Sequence, residues 1–382
     1  MLREQPKTHA TQSSATMTTP VHEKPEGVSS IELFFDLVFV FVITQVTQLV
    51  EHAHGPMDFL RALLVLMPIW WMYAGYAWLT NNVRVTWQMR LVLIAAMAGF
   101  LVMAMAIPEV FGAGALTFGL SYLFVVLLHL GAFALKGQGA ARVAIFGVAP
   151  FNLGASALLI GAAFVDARWV WLLFLAASSL FVAATVLRRE RRFSLNAAHF
   201  AERHGGIILI ALGESVIAIA MGASASHPSF KGEWLAGVVL SLVLVASLWW
   251  SYFDREDRRA ADKLVAAEPE QRSRMGLLGY WYAHLALISG IVLIAAGIRQ
   301  LLEGHPGMRL LASGMALFML GDVFFRWVMG MHPIAVRCFG AALAVALGFA
   351  GTRWGAQTAL AAIALLAIAV IATDRRLETR KA

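Results

Sequence analysis

The chain has 382 residues, of which 60% are hydrophobic and 14% are charged, and its formal net charge is +7. Soluble domains average about 45–50% apolar and about 25% charged residues, so this composition excludes an ordinary soluble domain and indicates a multi-span membrane protein. The single cysteine, Cys338, excludes an internal disulfide and any metal site that needs several thiolates.

The N-terminal segment differs from the rest of the chain. Residues 1–28 are polar and rich in Ser, Thr, Pro and Lys, which predicts a disordered cytoplasmic tail. We expect no signal peptide here, because the segment contains no short apolar core followed by a small-residue cleavage site. We predict one transmembrane helical domain over residues 29–374 and a second short cytoplasmic tail over residues 375–382.

Twelve apolar runs predict an all-α, polytopic membrane protein with about twelve transmembrane helices, since each run is near the ~20 residues that a spanning helix needs. The runs lie at roughly 31–50, 59–79, 91–111, 114–135, 142–164, 169–187, 205–224, 234–253, 280–301, 308–329, 335–350 and 355–373. Most of the 30 basic residues fall in the even-numbered loops and in the tails, so the positive-inside rule places both termini in the cytoplasm.

The long loop at 188–204 divides the spans six and six. The segments 29–187 and 205–374 each open with a helix that carries a buried acid, which is compatible with a duplicated architecture. Glycines seven residues apart predict smooth helix faces that pack closely. These glycines are Gly147, Gly154 and Gly161 in the fifth run, Gly290 and Gly297 in the ninth, and Gly314 and Gly321 in the tenth.

Titratable side chains inside the predicted spans are the candidate functional residues, because a charge at mid-membrane costs about 2.5–3.5 kcal/mol on insertion scales. Glu32 and Asp36 lie one turn apart on one face of the first helix. Glu214 lies near the middle of the seventh helix and is the leading candidate for a proton or cation carrier. The further candidates, all in the predicted cytoplasmic half, are His129, His284, Asp322 and Arg326.

Most of these candidates also have a structural explanation. Glu32 can satisfy the N-terminus of its own helix, and Asp36 can pair with an arginine. Asp322 and Arg326, at positions i and i+4, can neutralise each other. The two histidines can be satisfied core side chains, although histidine is also the group whose titration range suits proton transfer. In a compact bundle the candidates would line one inward-facing polar vestibule, with Glu214 deepest.

Motifs of soluble active sites are absent from the sequence. It contains no GxxxxGK[ST] phosphate loop and no HExxH motif, so any transport is expected to use a gradient or to be passive. We predict no catalytic residue, no cofactor and no metal site. The expected partners are the lipid bilayer and an unknown small molecule or ion. The basic loops follow from topology and indicate no nucleic acid, and a homo-oligomer is compatible with the sequence.

Several segments resemble the bacterial low temperature requirement protein A (LtrA) family. They include ELFFDLVFVFVITQ at 32–45, AMAIPEVFG at 104–112 and ERHGGIILIALGESVIAI at 202–219. The resemblance covers nearly all of the chain after residue 28. It implies a multi-pass protein of the bacterial cytoplasmic (inner) membrane, named for a growth phenotype in the cold, and it supplies no substrate. It also places Glu32, Asp36 and Glu214 inside recurring family motifs.

Functions of different classes remain open. Buried acids and histidines without a nucleotide site favour a proton- or ion-coupled secondary transporter or permease, with Glu214 as carrier, Asp36 as its partner and His284 as a relay. The alternative is a membrane-embedded enzyme or lipid-handling protein that uses the same acids for acid–base chemistry, or a non-catalytic membrane sensor. A transporter shows flux across a membrane, an enzyme shows turnover in detergent, and a sensor copurifies with a partner.

Overall fold

The computed structural model describes residues 27–53, 55–187, 195–225 and 232–379, and these parts of the chain are helical throughout apart from short connections. Residues 1–26 and 380–382 of the predicted tails lie outside the described residues. The α helices are α1 (Ser30–Glu51), α2 (Pro56–Asn82), α3 (Trp87–Met105), α4 (Ala115–Lys136), α5 (Gly139–Gly161), α6 (Ala167–Leu187), α7 (Ala197–Ala225), α8 (Gly232–Phe253), α9 (Glu256–Ala266), α10 (Pro269–Met275), α11 (His284–Leu302), α12 (Met308–Val328), α13 (Ala335–Ala350) and α14 (Ala356–Thr379).

The helices confirm the all-α, multi-span prediction. Eleven helical segments of the described chain are long and apolar enough to cross a membrane. Three of them are composite: α5 continues into a 3-10 turn at Ala162–Phe164, α8 continues into α9, and α10 joins α11 through a π-helical segment at Gly276–Ala283. The predicted eleventh span is α13, which is apolar but has only 16 residues. The cytoplasmic placement of both termini stays a prediction.

Two segments between the predicted spans, 188–204 and 254–279, contain helix in their described residues. The predicted loop 254–279 contains α9, α10 and the first part of the π-helical segment, and the end of the predicted loop 188–204 is the first turns of α7. Both stretches are charged, and a search for apolar runs does not detect a charged helix. The correction for α7 matters most, because its first turns carry a buried arginine, Arg203.

The predicted glycine faces of α11 and α12 pack against each other at short distance. A Cβ atom added at Gly290 would lie 2.6 Å from the backbone nitrogen of Phe318, and one at Gly314 would lie 2.6 Å from the backbone nitrogen of Ile294. The predicted packing face is therefore present on these two helices. The prediction is wrong at Gly161 of α5, where an added Cβ would meet nothing within 4 Å.

Helix neighbours follow the same order in the first six and the last six spans. Helix α1 packs on α3, α3 on α4, α4 on α5, and α2 on α6. In the second half α7 packs on α11, α11 on α12, α12 on α13, and α8 on α14. The two halves meet where α1 contacts α7 and α11, and where α2 contacts α7. This order is what a duplicated six-helix unit would produce, and the division into two such units stays a proposal.

Candidate functional site

The N-terminal end of α1 carries a buried ion-pair cluster centred on Arg203 of α7. The Nη1 atom of Arg203 lies 3.0 Å from Oε1 of Glu32, and its Nη2 atom lies 2.6 Å from Oδ1 of Asp36. None of the three side chains is more than 2% exposed. Glu32 also accepts hydrogen bonds from the backbone and the hydroxyl of Ser29, which forms a capping box at the start of α1. Both predicted acids therefore hold the two halves of the protein together here.

In this cluster two acids surround one guanidinium group. The amide of Asn81 accepts from the backbone of Asn196 at 2.8 Å through Oδ1, so its Nδ2 donates to Nδ1 of His199 at 3.4 Å. The Nε2 atom of His199 lies 3.1 Å from Oε1 of Glu32. Asp36 and Glu32 thus share one guanidinium, and Oδ2 of Asp36 is buried without a hydrogen-bond partner.

Glu214 lies farther along the contact between α1 and α7. Its Oε2 atom is 2.5 Å from the hydroxyl oxygen of Thr44, and the residue is 3% exposed. Thr44 lies two turns beyond Asp36 on α1, which is about 12 Å at 1.5 Å per residue. In the described part of the chain no lysine or arginine forms an ion pair with Glu214, and its neighbour Ser215 is fully buried with an unpaired hydroxyl. Glu214 is therefore a buried acid held by a neutral group.

The C-terminal end of α1 is fixed to α11 by a second ion-pair cluster. Arg299 contacts Glu51 through Nη1 at 2.8 Å and Glu303 through Nε at 2.9 Å. The side chain of Gln300 donates to the backbone oxygen of Glu51 at 2.9 Å. Helix α1 is thus bound to the second half at both ends, with Glu214 between the two clusters. The residues of this second cluster lie at the ends of apolar runs and are not among the predicted candidates.

The two predicted histidines have different surroundings. The Nδ1 atom of His284 lies 2.9 Å from the backbone oxygen of Gly279, inside the π-helical segment, so this nitrogen carries the proton. Its Nε2 atom then accepts from the hydroxyl of Tyr252 at 2.7 Å. His129 contacts the backbone oxygen of Gly75 at 3.0 Å through Nε2 and is buried within the first half.

Asp322 and Arg326 form the predicted i, i+4 ion pair, with Nε of Arg326 3.2 Å from Oδ2 of Asp322. They belong to a larger buried network that also contains Glu256, Arg337 and Asp374. The predicted candidates therefore fall into separate groups with different partners. One vestibule lined by all of them stays a prediction.

Comparison with known proteins identifies the family. The sequence model of the bacterial low temperature requirement A protein (LtrA) family matches residues 27–373. The chain belongs to the LtrA family. An uncharacterized protein of Rhizobium meliloti (strain 1021) is 26% identical over 322 residues, which are 80% of this chain and 77% of that relative. The LtrA match confirms the resemblance and includes all of the candidate residues, and neither comparison supplies a substrate.

Proposed function

We propose that this LtrA-family protein is a secondary transporter coupled to protons or to another small cation, in the bacterial cytoplasmic membrane, and that Glu214 is the carrier. The observation that carries the proposal is the contact between Glu214 and Thr44. This buried acid has a hydroxyl group as its partner, and it lies where the two halves of the protein meet.

Glu214 differs from Glu32 and Asp36 in the kind of group that contacts its carboxylate. Glu32 and Asp36 have a guanidinium that stabilises their ionised forms. An ionised carboxylate at mid-membrane without a counter-charge is expensive, so Glu214 favours a bound proton or cation. The energy of the contact between α1 and α7 then depends on whether this ligand is present, which is what coupling between an ion and a conformational change requires.

Hydrogen-bond geometry supports a proton on Glu214. The hydroxyl of Thr44 has one hydrogen but two oxygen neighbours, the backbone oxygen of Val40 at 2.9 Å and Oε2 of Glu214 at 2.5 Å. With Glu214 protonated, Thr44 donates to Val40 and accepts from Glu214, so both contacts are hydrogen bonds. With Glu214 ionised, Thr44 can donate to only one of them. Loss of the proton from Glu214 therefore changes the hydrogen bonding of Thr44 within α1.

Two other groups complete the proposed pathway. Asp36 has an unpaired oxygen and lies on α1 toward the predicted cytoplasmic side, which suits it to exchange a proton with Glu214. His284 is hydrogen-bonded to Tyr252 and is the proposed relay. His129 stays with the first half and has no part in this proposal.

Substitution of Glu214 by glutamine is expected to abolish coupled flux. The amide keeps the shape of a protonated glutamic acid but cannot release a proton, so the contact with Thr44 survives while the carrier is lost. The measurement is proton and cation flux into proteoliposomes under an imposed pH gradient, with wild-type protein and Glu214→Gln reconstituted side by side. The expected result is flux for the wild type and the level of empty liposomes for the variant.

The matched control is Glu109→Gln, the same substitution at an exposed position in the Ile107–Glu109 turn. This variant should transport like the wild type. Wild-type flux through Glu214→Gln would remove Glu214 as the carrier. Absence of proton and cation flux in the wild type under pH, sodium and potassium gradients would contradict the transporter proposal as a whole.

A further inference from the structure

A second group of buried charges lies where the junction of α8 and α9 meets α12, α13 and α14. Its side chains are between 3% and 7% exposed. It contains three carboxyl groups and two guanidinium groups, so one acid has no counter-charge within the group. The five members, which we call the buried network, are Glu256, Asp322, Arg326, Arg337 and Asp374.

Each acid presents one oxygen to both arginines. Arg337 lies 2.5 Å from Oε1 of Glu256, 2.9 Å from Oδ2 of Asp322 and 2.9 Å from Oδ2 of Asp374. Arg326 contacts the same three oxygens, with Oδ2 of Asp322 at 3.2 Å and Oδ2 of Asp374 at 3.3 Å. This arrangement leaves Oε2 of Glu256 and Oδ1 of Asp374 buried without a hydrogen-bond partner. The arginines therefore do not satisfy all of the carboxylate oxygens.

The charge balance of the network favours one bound proton. Glu256 and Asp322 flank the same two guanidinium groups, and two carboxyl groups that meet there can share a hydrogen bond only if one of them is protonated. A proton there also removes the excess negative charge, which is costly in a buried site. We propose that the buried network is a binding site for one exchangeable proton, shared between Glu256 and Asp322. This site does not depend on the proposed role of Glu214.

A small cavity of about 30 Å³, lined by Glu256, Asp374, Arg326 and Arg337, gives the site access to water. That volume is enough for about one water molecule. The further charged groups that line this cavity from the neighbouring elements are Asp254 and Arg255 at the junction of α8 and α9, Arg259 of α9, and Arg375 and Glu378 of α14. Two more titratable groups, Tyr252 of α8 and Asp257 of α9, interact electrostatically with Glu256.

These surrounding groups do not supply the missing counter-charge. Asp254 is paired with Arg375 at 2.7 Å, and Glu378 with Arg259 at 2.8 Å. The remaining cation, Arg255, is 51% exposed and lies 3.5 Å from Asp254 and 3.8 Å from Glu378. Water screens such an exposed charge, so it contributes little to the buried acids.

The proposal predicts a pH-dependent stability with a definite sign. The folded network holds one proton that the same carboxyl groups release in the unfolded chain at neutral pH. Because the folded state binds more protons, the stability decreases as the pH rises. Loss of the proton leaves two ionised acids in contact between α9 and α12, so the packing of α9, α12, α13 and α14 is expected to loosen in alkaline conditions.

Asp322→Asn tests this directly. The amide of asparagine supplies a permanent donor to Glu256 in place of the shared proton. The measurement is the melting temperature of the detergent-solubilised protein, from intrinsic tryptophan fluorescence, between about pH 6 and about pH 9. The wild-type Tm is expected to fall by several degrees over this range, and the Tm of Asp322→Asn is expected to stay level. The matched control is Asp262→Asn at an exposed position on α9, which should follow the wild type.

Two further measurements test the same site if Asp322→Asn does not fold. Infrared spectra of wild-type protein should contain a protonated carboxylic-acid C=O band that persists in Glu214→Gln, which separates this site from the proposed carrier. The double variant Glu256→Gln, Asp322→Asn leaves one acid facing two arginines. Its Tm should be lower than that of the wild type at every pH. A level wild-type Tm, a missing band in Glu214→Gln, or a Tm that rises with sodium or potassium but not with choline would overturn the assignment of a proton.

Discussion

Gly314→Ala is expected to lower the stability of the protein by roughly 1–3 kcal/mol, the usual cost of forcing an extra methyl group into a packed core. The new Cβ atom would lie 2.6 Å from the backbone nitrogen of Ile294 and 2.7 Å from the backbone oxygen of Gly290. Both neighbours are backbone atoms, which cannot rotate away. Helices α11 and α12 must therefore move apart, and the melting temperature in detergent reports the effect.

Gly213→Ala is the matched control for this substitution. Gly213 also lies within a long helix, α7, but it is exposed and an added Cβ would meet nothing within 4 Å. There alanine should be neutral or should stabilise by up to about 1 kcal/mol, since glycine is the weaker helix former. Equal melting temperatures for the two variants would mean that α11 and α12 pack less closely than the structure indicates.

The parts of the fold that could be predicted from the sequence are the helices that lie in lipid. A spanning segment has to satisfy its own backbone hydrogen bonds, so an apolar run of about 20 residues implies a helix whatever it packs against. This rule found the eleven candidate spans and also the shorter apolar helix α13 at Ala335–Ala350. It did not find α9 or α10, because their residues are charged and their helical form depends on packing against the bundle.

The candidate site could be predicted only where its contacts are local. Asp322 and Arg326 are one turn apart on α12, so their ion pair follows from helix geometry. The partner of Glu32 is 171 residues away in the sequence, and no spacing rule connects them. Arg203 also stood in a predicted loop, because the apolar run that marked the seventh span begins only at Gly205.

One signal in the sequence could have found Arg203. His199 and Arg203 are one helical turn apart, as Glu32 and Asp36 are, and two such pairs on neighbouring helices can meet face to face. The hydrogen-bond partner of Glu214 could not be predicted in the same way. Thr44 is one of several hydroxyl groups on α1, and only the packing of α1 against α7 selects it as the partner.

Arg203→Met is expected to have the largest effect of the substitutions considered. Removal of one partner from a buried ion pair typically costs about 3–5 kcal/mol, because the remaining charge stays buried without compensation. Here two carboxylates, of Glu32 and Asp36, would lose their common guanidinium. We expect poor recovery of folded protein and a strongly reduced melting temperature. Arg203→Lys should be intermediate, since an ammonium group keeps the charge but cannot bond both acids in the same way.

A triple variant separates this structural role from a role in transport. Glu32→Gln and Asp36→Asn, added to Arg203→Met, remove the unpaired charges and should recover most of the lost melting temperature. If Asp36 exchanges protons with Glu214, the triple variant will be stable but will lose coupled flux in proteoliposomes. If Asp36 serves only to join α1 to α7, stability and flux will recover together. The second outcome would remove Asp36 from the proposed pathway and leave Glu214 as its only buried acid.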